Sequence, residues 1–97
     1  MASRTMHVTN NYAQSVRVRV HYQDGHTDAI TLDDNDTKSF AITEATFMEP
    51  HQWGVQVAVY RIGKKVPSDS LSMEIEQNEV NVIIKIGDDI IPLIFVE

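Results

Sequence analysis

The chain has 97 residues, no cysteine, and 14 acidic against 8 basic side chains, for a formal net charge of −6. That length fits one domain with a modest core, and the lack of cysteine excludes a disulfide scaffold, a thiolate zinc site and a cysteine nucleophile. The acid excess argues against nucleic acid as a partner, because phosphate backbones require clustered Lys and Arg, while a hydrophobic share of 42% is too high for a disordered chain.

Residues 1–8 hold no long apolar run, so the expectation is a leaderless protein, cytoplasmic or released without a signal peptide. A first strand is predicted near residues 6–9. Val16, Val18, Val20 and Tyr22 then point one way, while Arg17, Arg19 and His21 point the other. This period-two alternation is the strand signature. Asp24-Gly25 follows as a hairpin turn, because Gly tolerates positive φ. Residues 27–32 return with Ile30 and Leu32 inward, Asp33-Asp34-Asn35-Asp36 turns the chain again, and Phe40 and Ile42 mark a fourth strand. Asn35-Asp36-Thr37 matches the glycosylation sequon, which carries no weight in a leaderless chain.

The second half repeats the pattern. Trp53, Val55, Val57 and Val59 share a face and lead into Gly63-Lys64-Lys65; Leu71, Met73 and Ile75 alternate with Ser70, Ser72, Glu74 and Glu76. Gln77-Asn78 turns into Val80, Val82, Ile84 and Ile86, and Gly87-Asp88-Asp89 turns into the last strand. Roughly eight short strands at roughly ten-residue spacing predict an all-β protein, a single antiparallel β-sandwich domain over residues 1–97.

The last strand breaks the alternation. Ile90, Ile91, Leu93, Ile94 and Phe95 are apolar on both faces, and Pro92 cannot donate to a ladder, which places the strand at an edge or a bulge. An apolar edge attracts a second chain, so these five residues are the expected interface of a homodimer. Coverage by the chain's own N-terminus or by the 43–52 loop is the alternative. At seven residues, the 90–96 run is far too short for a membrane-spanning helix, which needs ~20.

No catalytic residues are expected. There is no G-x-S-x-G elbow and no Gly-rich phosphate loop, and Glu74 and Glu76 are neighbours on one strand rather than carboxylates facing across a cleft. No cofactor or resident metal is implied. His21 and His26 flank a turn, where cross-strand pairing can place two imidazoles together, although separate surface histidines fit as well. Five acids (Asp24, Asp28, Asp33, Asp34 and Asp36) with no Lys or Arg among them invite a calcium site. The two turns lie at opposite ends of one strand, about 20 Å apart at ~3.3 Å per residue. Only Asp33, Asp34 and Asp36 can then share an ion, and their spacing is not that of an EF-hand.

Two features point to binding. Arg17 and Arg19, with His21 in line, make a basic stripe suited to an anionic glycan or lipid headgroup, unless Asp28 or Thr31 across the strand pair neutralises it. The longest connection carries Phe47, Met48, His51 and Trp53. Long loops on a rigid sandwich often hold binding residues, and exposed aromatic rings stack on sugars or enter a membrane interface. Trp53, in phase with Val55, can instead fold inward.

The order Val8-Thr9-Asn10-Asn11, then Val16-x-Val18-x-Val20, then Asp24-Gly25-His26-Thr27 resembles the opening of small β-sandwich insecticidal proteins from soil bacteria. Gly54-Val55-Gln56-Val57 running into Gly63-Lys64-Lys65, and Met73-Glu74-Ile75-Glu76-Gln77-Asn78-Glu79-Val80, fit the same order. Aegerolysin-type lipid-binding proteins and small nematode β-sandwich proteins begin similarly. The resemblance implies a non-enzymatic, toxin- or defence-type protein that binds a lipid or glycan surface. The continuous apolar C-terminal strand and the low aromatic content of 7% depart from that pattern.

The sequence therefore predicts a non-enzymatic binding protein for a lipid or glycan surface, with Phe47, Met48, His51 and Trp53 as contacts and Arg17 and Arg19 assisting. One alternative is a protein–protein module (inhibitor, immunity or assembly protein) that uses the C-terminal edge for β-augmentation. The other is a calcium-dependent binding module.

Overall fold

In a computed structural model of the protein, residues 3–44 and 52–97 are described. They form β1 (Ser3–Asn11), β2 (Val16–Tyr22), β3 (Thr27–Leu32), β4 (Thr37–Thr43), β5 (Gly54–Arg61), β6 (Asp69–Glu74), β7 (Glu79–Ile86) and β8 (Pro92–Val96), with one 3-10 turn at Asp88–Ile90. The strands lie in two four-stranded sheets, ordered β4-β1-β7-β8 and β3-β2-β5-β6. The molecule is the all-β sandwich that the alternation demands, since each strand has an apolar face to bury and a facing sheet is the way to bury it.

Register fixes which residues reach the core. Val18 lies between Ile30 and Val59, and Val20 between Asp28 and Val57. The valines of β2 and β5 thus form one apolar layer, closed from the other sheet by Met6, Val8, Ile42, Val82 and Ile84, all essentially fully buried. β-branched residues suit this packing because their side chains are already stiff on a pleated surface.

Among the six strand pairings, five are antiparallel; β1 and β7 run parallel, with Thr5 opposite Glu79 and Asn11 opposite Lys85. β1 enters the middle of its sheet, so its second neighbour comes from a strand about seventy positions later in the chain.

A fully buried polar residue organises the end of the sandwich where β1 finishes. Asn10 donates from Nδ2 to the carbonyls of Gln14 (2.8 Å) and Leu32 (3.0 Å), and its Oδ1 accepts from the Tyr12 N–H (2.9 Å). Its main chain also binds the next turn, accepting from the Asn35 N–H and donating to the Asp36 carbonyl. A buried amide is tolerated in an apolar core only when its groups are satisfied in this way. Tyr12, itself buried, extends the network by donating from its hydroxyl to the Ile90 carbonyl at 2.7 Å.

Among the described residues β8 is an edge strand, paired only with β7. The Gly87–Ile91 and Glu97–Asn81 backbone bonds show that odd-numbered residues from 91 to 97 face β7, so Pro92, Ile94 and Val96 turn their backbone outward. Pro92 has no N–H, and the Ile94 N–H donates to an Asp69 carboxylate oxygen of β6 at 2.9 Å. Two of the three positions on the open edge therefore offer no donor to an incoming strand.

Candidate functional site

The outer face of the β3-β2-β5-β6 sheet carries the side chains left over when the valines turn inward. Arg17 stands opposite Thr31 and Tyr60, Arg19 opposite Ala29 and Ala58, and His21 opposite Thr27 and Gln56. Arg17 and Arg19 are alternate residues of one strand, so their stems are about 7 Å apart. Ala58 is small, and its methyl is covered by the longer chains around it. The β5–β6 connection then folds back toward this face. Gly63 adopts φ +81° in a turn closed by the Lys64 N–H and the Arg61 carbonyl (3.1 Å), a conformation that favours glycine.

The result is a concavity of about 190 Å³ lined by Arg17, Arg19, Tyr60, Lys64 and Lys65. Half of the chain's eight basic residues meet here, in a protein of net charge −6. Among the described residues none of these four cations has an ion-pair partner. Asp28 does not neutralise them, contrary to one expectation from sequence. It lies opposite Val20, in phase with the inward face, and accepts the Tyr22 hydroxyl at 2.6 Å. Four guanidinium and ammonium groups around one phenol can take an oxyanion through charge-assisted hydrogen bonds, with the arginines offering planar, bidentate donors. A second depression, about 470 Å³, lies at the other end of the same face against His21, Gln56 and Ser72.

The other residues singled out from sequence are dispersed. Phe47, Met48 and His51 lie outside the described residues. Trp53 is buried, which corrects its expected role as an exposed contact. Its ring packs under the Arg4 guanidinium, 4.3 Å from the ring centroid, and its main-chain N–H donates to Glu74 Oε1 at 2.6 Å. Arg4 also donates to the Ile75 carbonyl, so Trp53 closes the core at that end. Ile94 likewise faces the core rather than an interface. On the opposite face of β8, Leu93 and Phe95 turn outward beside Lys85 and Ile83, with the Lys85 ammonium 5.6 Å from the Phe95 ring centroid. Ile90 and Ile91 belong to the β7–β8 turn.

The acids of the β3–β4 turn serve the fold. Asp33 accepts from the Ser15 hydroxyl (2.7 Å), Asp34 from the Ala13 N–H (3.0 Å), and Asp36 from the Asp33 N–H (3.2 Å). Ala13 sits at φ +76°, and the bond to Asp34 helps hold it there. No group of three His or acidic side chains able to hold a metal occurs among the described residues. The two turn histidines do not converge. His21 bonds to Thr27, whereas His26 bonds to Asp24 and stacks on Tyr22 with ring centroids 4.0 Å apart. The His26 contacts, main chain first, hold the Asp24 carboxyl below the usual carboxylate range. Burial, then the Asp28 hydrogen bond and charge, push the Tyr22 phenol above its ordinary value.

One row was not legible in the sequence. On the outer face of the other sheet, His7 bonds through Nδ1 to Ser39 Oγ (2.7 Å) and through Nε2 to Glu79 Oε1 (3.0 Å). Residues of these three types can activate a serine, but here they lie on a flat sheet face. β1 is flanked by β4 and β7, so its own backbone donors are directed into the two ladders. Only the cross-strand pairings, which place β1 beside both partners, bring the row together.

No family model matches the chain, and no curated protein matches it. Among solved structures, a protein from Eubacterium rectale determined by NMR is similar, with a TM-score of 0.60 at 13% identity over 97% of this chain and 87% of that one. At that identity the likeness is one of fold, and the two chains share a small β-sandwich.

Proposed function

We propose that the protein is a non-enzymatic binding protein whose basic cup captures the phosphate, sulfate or carboxylate of an anionic lipid or glycan. One observation carries this reading: Arg17, Arg19, Lys64 and Lys65 converge with Tyr60 in one concavity, with no acidic partner among the described residues. Four like charges held together cost stability through mutual repulsion, and a bound anion relieves that cost. The cup is small enough for one oxyanion group with its immediate substituent, and the open depression beside His21, Gln56 and Met73 leaves room for more of the ligand along β5.

The test is calorimetric titration with a sulfated oligosaccharide and with a soluble short-chain phosphatidylserine. Binding of either, weakened as salt is raised and abolished by the double substitution Arg17→Gln/Arg19→Gln, is the expected result. Unchanged binding in that variant removes the cup from the site.

A further inference from the structure

We infer that the β5–β6 and β7–β8 hairpin tips form a membrane-docking end that seats the protein on an anionic lipid bilayer. Ile62, Val66 and Ile90 enter the interfacial layer while Lys64 and Lys65 meet the headgroup phosphates. This rests on the anion-binding reading of the cup and names the source of the anion.

Three observations lead here. Ile62, Val66 and Ile90 are 54%, 77% and 70% exposed, an arrangement that contributes nothing to the core. Ile62 and Val66 are interleaved with cations, in the order Arg61, Ile62, Gly63, Lys64, Lys65, Val66, whereas Ile90 follows Asp88 and Asp89. The two tips are also one surface: a groove of about 330 Å³ runs between them, walled by Arg61, Lys64, Lys65 and Val66 on one side and Ile91 on the other. Lys64 and Lys65 line this groove and the basic cup alike, so the apolar tip and the anion site are continuous.

Apolar side chains projecting among lysines match a bilayer surface, where acyl chains lie just below anionic phosphates. A glycan offers no apolar layer to receive them. Asp88 and Asp89 stand on the same β7–β8 tip and are repelled by an anionic surface, so the β5–β6 tip penetrates first and the molecule leans toward it. Ile90 adds a conformational sign. It holds φ +57° next to Asp89 at +59°, a region that disfavours a β-branched residue and suits Gly or Asn. An isoleucine kept there, with its side chain in solvent, is costly for the fold alone and useful for an apolar surface.

The experiment is co-sedimentation of the full chain with phosphatidylcholine vesicles, with and without phosphatidylserine. Binding to the anionic vesicles alone is expected. Lys64→Gln/Lys65→Gln weakens it about thirtyfold, the equivalent of roughly 1 kcal/mol per lysine at an anionic surface. Ile62→Ser/Val66→Ser weakens vesicle binding about tenfold or more, while leaving binding of a sulfated oligosaccharide in the cup unchanged. Because the chain has no cysteine, Val66→Cys accepts a single environment-sensitive dye, and its emission shifts to the blue on vesicle addition. The inference is overturned by wild-type vesicle binding in the Ile62/Val66 variant, or by equal binding with and without phosphatidylserine. Oligosaccharide binding without vesicle binding overturns the docking end and leaves the cup standing. Loss of both removes the cup as well, and a stoichiometric protein complex formed by the tips in place of vesicle binding assigns them to a protein.

Discussion

Two charged clusters of this molecule behave in opposite ways. In the β3–β4 turn, Asp33 and Asp34 accept hydrogen bonds from the β1–β2 loop, and Asp36 accepts one from the turn's own Asp33 N–H. On the outer face of β2 and β5, Arg17, Arg19, Lys64 and Lys65 meet with no partner among the described residues. The acidic cluster stands out in the sequence, whereas only the Arg17–Arg19 half of the basic one does. Charge density therefore does not identify a site: the acids are consumed by the fold, whereas the bases remain available to something outside it.

The sharpest way to break that contrast is through the residue that anchors the acidic side. Asn10→Ala strands two carbonyls and one N–H at a buried position, and the expected loss is about 2–4 kcal/mol in urea unfolding. Asp34→Ala removes one bond from the strained Ala13 and is expected to cost about 1 kcal/mol. Ile90→Gly reverses the sign, gaining about 0.5–1 kcal/mol as the left-handed strain is relieved against the entropy of glycine, while vesicle binding falls. Arg17→Gln/Arg19→Gln changes the urea midpoint least, within about 0.5 kcal/mol, although it removes anion binding. If the arginine pair proves as costly to stability as Asp34, the contrast fails.

A smaller effect follows pH. The Tyr22 phenol is pushed up in the folded state, so the native chain keeps a proton that the unfolded chain releases near pH ~10. Its contribution is complete below that pH and is lost as pH rises toward the folded value. Asp24 has the opposite sign. Its carboxyl is held low, so its contribution is present above pH ~4 and is lost as pH falls through the folded value. Denaturant midpoints at alkaline pH should decline less steeply in Tyr22→Phe, and those on the acid side less steeply in Asp24→Asn.

What the sequence made legible was local. Period two in Val16-x-Val18-x-Val20 and in Val55-x-Val57-x-Val59 placed both strands and their inward faces, and Asp24-Gly25 placed a turn in which Gly25 takes φ +96°. The basic stripe on β2 was equally readable, because it is the outward phase of a strand whose inward phase is valine. Its completion was not, since Tyr60 and Lys64 join Arg17 only through the β2–β5 register, a long-range choice that alternation leaves open. Trp53 shows the converse. Its position after a long loop suggested exposure, yet its phase with Val55 placed it inward, and burial of a large ring beneath Arg4 outweighed loop position. The apolar run in β8 divided in two, with Pro92 and Ile94 inward and Leu93 and Phe95 outward. Asp69 on the open edge came from a different sheet and had no local signal.

The place of β1 in the middle of its sheet has a kinetic consequence. β1 stays without its parallel neighbour until β7, about seventy positions later in the chain, is available to pair with it. The β2–β3 and β5–β6 hairpins can form early from local contacts, whereas closing the loop between β1 and β7 must wait for a long-range encounter. Refolding is thus expected on the millisecond-to-second scale of β-sandwiches, with the joining of β1 to β7 as the late step. Until it occurs, both the Met6–Val8 face of β1 and the Val82–Ile84 face of β7 lie open, and that interval is when this protein is most exposed to aggregation.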